Sequence, residues 1–353
     1  MTHRDDAGRI SLDPIALWAS ALVVVAMAAL YWHFSGPIFA DWIGYRQLWD
    51  NDGGWLLREG RDPLFVSLLH QSRRLFGENG YGEFRFALFA IFTAVGARLA
   101  YLMRAGWVSV FFVVPIIISA FMLKSLVQIR EGLAFLIVVL SLISVFRPKG
   151  GGWFIAGIGA IAGTLTHAGA GIFVLAWAVA CGFYFGPARL LGSKGVRDAL
   201  LLVGVALGVA VTAAIFQFSQ FLEFSLQDIG TDTTVDATGG IWKYLYWLFN
   251  GLLMLLTRHQ LLSAAWGSRK FSYSYATVLG SLIIPLIYTT CIMLVFSNFY
   301  LPIITASATR LLFSTMEIGL IIIGLRGKAN WMTLPIALAL VADQFRLLII
   351  ERI

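Results

Sequence analysis

The stretch KSLVQIREGLAFL, residues 124 to 136, sets Lys124, Gln128, Arg130 and Glu131 between two apolar runs, in a chain where only 13% of residues are charged. An arginine at the end of an apolar segment, beside the small Gly132, can present a planar fork of donors to a phosphate, a geometry lysine does not match. The structural alternative is snorkelling, with the stem in lipid and the head group in water. On one continuous helix Lys124, Gln128 and Glu131 fall at i, i+4 and i+7 and share a face, which leaves Arg130 pointing elsewhere and available to an anion.

Three other stretches carry residues of the same kind. In GTLTHAGAG, residues 163 to 171, His167 stands among small residues that let a helix or ligand approach closely. Such a histidine donates to phosphate or hydroxyl groups or shuttles a proton; a core histidine satisfied by a local hydrogen bond is the alternative. In FADWIGYRQLWDNDGGWLLREGRDPLF, residues 39 to 65, the carboxylates Asp41 and Asp62 and the basic Arg46 are mixed with Trp42, Tyr45, Trp49 and Trp55. Carboxylates that grip hydroxyls beside ring faces that stack on a pyranose suit sugar recognition, although interfacial aromatic belts use the same residue types. In TASATRLLFSTMEIGL, residues 305 to 320, Arg310 and Glu317 are seven apart and share a helix face. An ionisable residue at the depth expected for Glu317 is costly and therefore a functional candidate, with a structural pair to Arg98 as the alternative.

The elements that must position these residues follow from hydropathy. The chain has 353 residues, 59% of them hydrophobic, and a mean hydropathy of +0.81, more apolar surface than a soluble core of this size uses. Segments long enough to cross a bilayer lie near 15–34, 84–103, 107–123, 130–146, 152–168, 170–186, 198–218, 241–257, 276–297, 311–325 and 331–349, about ten or eleven crossings. With a cytoplasmic N-terminus, Arg104, then Arg147 and Lys149, then Arg189, Lys194 and Arg197, then Arg258, Arg269 and Lys270, and finally Arg326 and Lys328 all fall in inside connections, as the positive-inside rule requires. The net charge of +7 is accordingly read as topology, and no nucleic acid partner is expected.

The expectation is one all-α polytopic integral membrane domain over 1–353: a cytoplasmic tail at 1–14, a first outer loop at 35–83 and an acidic outer loop at 219–240. Within the first outer loop, LFVSLLHQSRRLFG, residues 64 to 77, is apolar at helical spacing but too short and too basic to span, and reads as an amphipathic helix at the outer interface. Asp343 and Arg346, three apart in the last span, read as a local ion pair. Cys181 and Cys291 lie inside apolar runs with no metal-type spacing, and no second histidine stands at ligand spacing from His167, so neither a disulfide framework nor a metal site is expected.

Taken in order, these motifs resemble the EpsG family of membrane polysaccharide polymerases, related in role to Wzy O-antigen polymerases. DWIGY supplies an Asp followed four residues on by Tyr (Asp41, Tyr45). DPLF, with Asp62 in place of the usual Glu, precedes the amphipathic helix. IREGLA places Arg130 at the opening of a span, LTHAGA places His167 in the next outer turn, and Arg310 corresponds to a late arginine opening a span. The resemblance covers roughly residues 35 to 325, through short and degenerate motifs. It implies a fold like that of C-type membrane glycosyltransferases and an enzyme of the bacterial inner membrane whose site faces the periplasm.

That enzyme would join oligosaccharide repeat units carried on undecaprenyl diphosphate, with a flippase and a chain-length regulator as possible partners. On this reading Arg130 and Arg310, with His167 or Lys124 assisting, hold the departing diphosphate, and Asp62 or Asp41 is the base for the acceptor hydroxyl. Tyr45, Arg46, Trp42, Trp49 and Trp55 would position sugar, with Glu131 and Glu317 also lining the substrate site. No cofactor and no metal are expected. A flippase or transporter of lipid-linked glycans, an O-antigen ligase and a polyprenyl-phosphate-dependent glycosyltransferase are the alternatives.

Overall fold

The computed structural model describes residues 3–4, 10–11, 13–34, 40–58, 60–102, 107–145, 152–167 and 334–350, with Ala170, Val203, Glu317, Leu320 and Ile321 as single positions. Apart from a two-residue antiparallel pairing of His3–Arg4 with Ile10–Ser11, the regular structure among these residues is helical. In chain order the helices are α1 (Pro14–Phe34), α2 (Ala40–Asp50), α3 (Gly54–Arg58), α4 (Pro63–Phe76), α5 (Tyr81–Leu102), α6 (Trp107–Leu126), α7 (Ile129–Val145), α8 (Gly152–Thr166) and α9 (Leu334–Ile350). All nine belong to a compact unit formed by Met1–Val174 and Leu320–Ile353; Leu175–Gly319 forms a second unit. The spans expected near 170–186, 198–218, 241–257 and 276–297, most of 311–325, the loop 219–240 and Arg310 lie outside the described residues.

Six apolar segments found by hydropathy coincide with α1, α5, α6, α7, α8 and α9 to within three residues at every end. Of these, α1 and α5 are long and apolar enough to cross a membrane, and shorter apolar stretches cover Val113–Leu126 and Phe154–Thr166. Their outward surfaces are apolar too: Trp18, Val25, Trp32, Phe111, Phe154 and Ile161 are exposed. Contiguous apolar surface on this scale is costly in water and suits a lipid environment.

The core forms where α1, α5 and α6 meet. Gly96 on α5 sits at that junction, where a Cβ would come within 3.0 Å of Ile117, 3.1 Å of Phe121 and 3.3 Å of Val23. The ring of Phe121 then lies edge-on to Phe92 of α5 and to Phe135 of α7, with centroids 5.5 and 6.2 Å apart, and so carries packing from one helix pair to the next. On the other side of α6, α9 docks through buried polar groups, Ser119 Oγ donating to Gln344 Oε1. Asp343 and Arg346 pair at 2.9 Å on α9, the local ion pair their spacing implies.

The contact that matters most for the site is between α7 and α8. Gly159 and Gly163, four apart on α8, face Ser141, Val138 and Ala134 of α7; a Cβ on Gly159 would overlap Ser141 Oγ, and one on Gly163 would lie 2.7 Å from Val138 Cγ2. This small-xxx-small spacing lets the two backbones approach as a helix with side chains there would not. Because the helices run antiparallel, it sets His167, just past the end of α8, beside Arg130 at the start of α7. Gly159→Val should therefore lower stability by about 1–3 kcal/mol, the usual cost of overpacking. Gly157→Val, at a position with open space around it, should leave the thermal midpoint of the purified protein unchanged.

Candidate functional site

Asp62 organises the site. It occupies the N-cap position of α4, with Pro63 opening the helix, yet its side chain makes no capping hydrogen bond. Its backbone lies in the left-handed region (φ 48°, ψ 54°), uncommon for a non-glycine residue and further disfavoured immediately before proline. An Asp at this position ordinarily accepts from the first free N–H groups of its own helix. Here the strained backbone directs the carboxylate across to α7 and α8 instead, the kind of local cost found at functional sites.

There Asp62 Oδ2 receives Arg130 Nη1 at 2.9 Å and faces His167 Nδ1 at 3.7 Å, with the Asp62 side chain only 4% exposed. His167 Nδ1 is itself shielded and makes no hydrogen bond. Tyr45 of α2 completes the group: its hydroxyl accepts from the backbone N–H of Arg130 at 3.2 Å, and its ring packs edge-on to Phe65 of α4. The N–H of Arg130 belongs to the first turn of α7, whose donors have no partner within the helix. Thus Tyr45 of α2 and Asp62 at the start of α4 both hold Arg130 of α7, while His167, just past α8, faces the same Asp62 oxygen.

Two expectations about the 124–131 cluster are corrected. The chain does not continue as one helix: α6 ends at Leu126 and α7 begins at Ile129, with Val127 and Gln128 in the turn. Lys124 and Glu131 nevertheless meet at 3.6 Å, because the turn is tight enough to juxtapose them. Gly132 makes that possible, since a Cβ there would stand 2.5 Å from the Lys124 carbonyl oxygen. Lys124 is 2% exposed and also lies over the Phe135 ring at 4.8 Å. Arg130, expected to be available to an anion, is instead ion-paired with Asp62. Periodicity within one segment cannot reveal a partner 68 positions away.

The aromatic residues of the first outer segment divide. α2 and α3, read from the sequence as irregular loop, are helices separated by a turn in which Asp52, Gly53 and Gly54 all have positive φ. Trp49 is fully buried: its indole N–H donates to the Glu78 carbonyl at 2.6 Å and its ring packs on Tyr81 and Phe84. It is therefore a packing residue and does not present a face to sugar. Trp42 is half-buried against Tyr81, and Arg46 pairs with Asp50 at 3.0 Å while lying over the Tyr81 ring. Asp41 and Trp55 lie on α2 and α3. Glu317, in the second unit, is a buried helical residue, while Arg98 stacks on Tyr101.

Two features went unnoticed in the sequence. Asp50-Asn51-Asp52 has the D-x-D spacing of divalent-cation motifs; here Asp50 binds Arg46, and Asp52 binds His70 at 3.3 Å and Arg73 at 3.7 Å, so both carboxylates are engaged by basic side chains. No group of three or more metal-ligating side chains occurs among the described residues. Arg85 on α5, inside an apolar run, is buried. No protein-family model, curated protein or solved structure matches this chain.

The arrangement sets a shielded carboxylate 2.9 Å from a guanidinium and 3.7 Å from an imidazole nitrogen, residue types that serve acid–base chemistry beside a fixed cation. Two stability measurements check the geometry. Tyr45→Phe should cost about 0.5–1.5 kcal/mol, one net hydrogen bond. Glu131→Gln, which removes the carboxylate beside a buried ammonium, should lower the thermal midpoint more than Lys124→Met, which removes the charge and keeps the stem.

Proposed function

We propose that this chain is a polytopic protein of the bacterial inner membrane that polymerises polysaccharide at the periplasmic face, joining repeat units carried on undecaprenyl diphosphate. The observation that carries this reading is the convergence of Asp62, Arg130 and His167, drawn from three separate motifs, on one carboxylate oxygen. Tyr45, from a fourth motif, binds the same arginine. The motif order suggested a shared site, and a buried constellation of catalytic type is what such a site requires. The apolar outward surfaces of α1, α6 and α8 support the membrane setting.

In the proposed reaction an acceptor hydroxyl oxygen bonds to the anomeric carbon of the growing chain as the bond from that carbon to the diphosphate oxygen breaks. Asp62 takes the hydroxyl proton, which His167 Nδ1 is placed to relay. Arg130 spends one donor on Asp62 and directs others of its five to the departing diphosphate, stabilising the charge that develops there. In this way one residue both orients the base and receives the leaving group.

The test is reconstitution of the purified protein with lipid-diphosphate repeat units and no ATP. A ladder of longer glycans is expected. Units that only cross the bilayer identify a transporter, and transfer of a single block to another acceptor identifies a ligase. Asp62→Asn keeps the side-chain shape and tolerance of positive φ, and should cut polymerisation at least 100-fold with normal protein yield; the same rate as the unaltered protein would remove Asp62 from the reaction. Arg130→Lys should fall nearly as far, because a point charge cannot hold Asp62 and a phosphate together.

A further inference from the structure

Arg85 stands apart from every other buried cation described above. It lies one turn into α5 and keeps only 7% of its surface. Its Nε and Nη2 are sealed from the surface and make no hydrogen bond. Arg130 has Asp62, Lys124 has Glu131 and Arg46 has Asp50, whereas among the described residues no carboxylate pairs with Arg85. The groups within electrostatic reach of it are the phenols of Tyr81 and Tyr31. Around them the rings of Tyr31, Phe86 and Phe89 pack together, as do those of Tyr81, Trp42, Trp49 and Phe84.

A guanidinium with two of its three nitrogens unsatisfied in such surroundings is expensive, because those donors have given up water without gaining acceptors. A fold that needed only to fill the space would do better with Met or Leu. Among the described residues nothing accepts from Nε or Nη2, so a ligand with oxyanions in a fork-compatible arrangement would offset the cost, and phosphate fits that description best. The position limits the source. α5 is long and apolar enough to cross a membrane, and Arg85 sits near the end of it that follows α4. A phosphate reaching it comes at the level of lipid head groups.

We propose that Arg85 is a second oxyanion site, which binds the phosphate of a membrane lipid at the start of α5. The assignment to a polyprenyl carrier rests on the polymerase reading. Two lipid-diphosphate substrates meet in that reaction, and one keeps its diphosphate after the other has left. Arg130 is committed to the base and the leaving group, so the retained diphosphate needs its own cation. α2 is common to both places: Trp42 and Trp49 pack on Tyr81, four residues before Arg85, while Tyr45 holds the N–H of Arg130. One helix therefore spaces the two anion sites.

The experiment measures binding of undecaprenyl phosphate to the purified full-length protein in detergent by native mass spectrometry, with phosphatidylglycerol and inorganic phosphate as competitors. Arg85→Gln should weaken binding at least 10-fold and Arg85→Lys less, while Gly157→Val, at an open position outside both sites, should bind as the unaltered protein does. Arg85→Met should hold or raise the thermal midpoint without lipid, since a costly charge is removed. Unchanged lipid binding in Arg85→Gln overturns the proposal. So does a lowered midpoint in Arg85→Met, because it makes the arginine structural. Displacement by equimolar phosphatidylglycerol upholds the oxyanion site but assigns it to bulk anionic lipid. Because the readout is binding, failure to polymerise glycans leaves these results intact.

Discussion

The pair between Asp62 and Arg130 ties together parts of the chain that have no other reason to meet at that point. Asp62 belongs to the segment between the first two long apolar helices, and Arg130 to the start of α7. A shielded ion pair gains Coulomb energy in a low-dielectric setting but must offset the loss of water around both charges. The structure spreads that cost. Arg130 is held twice, through its guanidinium by Asp62 and through its backbone N–H by Tyr45. Asp62 accepts a strained backbone and forgoes its ordinary role as a helix cap.

Placing His167 at the same carboxylate depends on backbone approach. Along α8 the residues facing α7 are small, and the hairpin closes until a glycine Cα lies where most helices carry a side chain. A comparable economy operates at the α6–α7 turn, where Gly132 passes over the Lys124 carbonyl. Glycine ordinarily weakens a helix. Here it sets the separation between catalytic candidates, so the bundle's packing and the site's geometry are one constraint.

Much of this was legible from composition and period. Long apolar runs bounded by basic turns defined six of the described helices, and the short basic amphipathic run after Pro63 defined α4. What local pattern could not reveal was pairing. Asp62, Arg130 and His167 were each identifiable by residue type and by the resemblance, but the ion pair between two of them depends on the tertiary fold. The turn at Val127–Gln128 was bracketed by the spans expected at 107–123 and 130–146, but the helix face assigned to Lys124, Gln128 and Glu131 ran straight through it, because neither turn residue is a helix breaker. Trp49 looked like a sugar platform because burial is not a property of residue type. Arg85 was passed over because a single basic residue near the end of an apolar span, two positions after Glu83, reads as tolerable noise.

The hydrogen bond from the Trp49 indole to the Glu78 carbonyl closes 29 residues of chain into a loop fastened at its neck. α3 and α4 lie inside that loop and the last residues of α2 form its neck, so the three helices are fastened together as one plate. The seam between this plate and the α7–α8 hairpin, where α4 packs on α8, passes Asp62. The bolt across that seam is the carboxylate–guanidinium pair itself. Parting the plate from the hairpin would therefore break the same contact that shapes the candidate site.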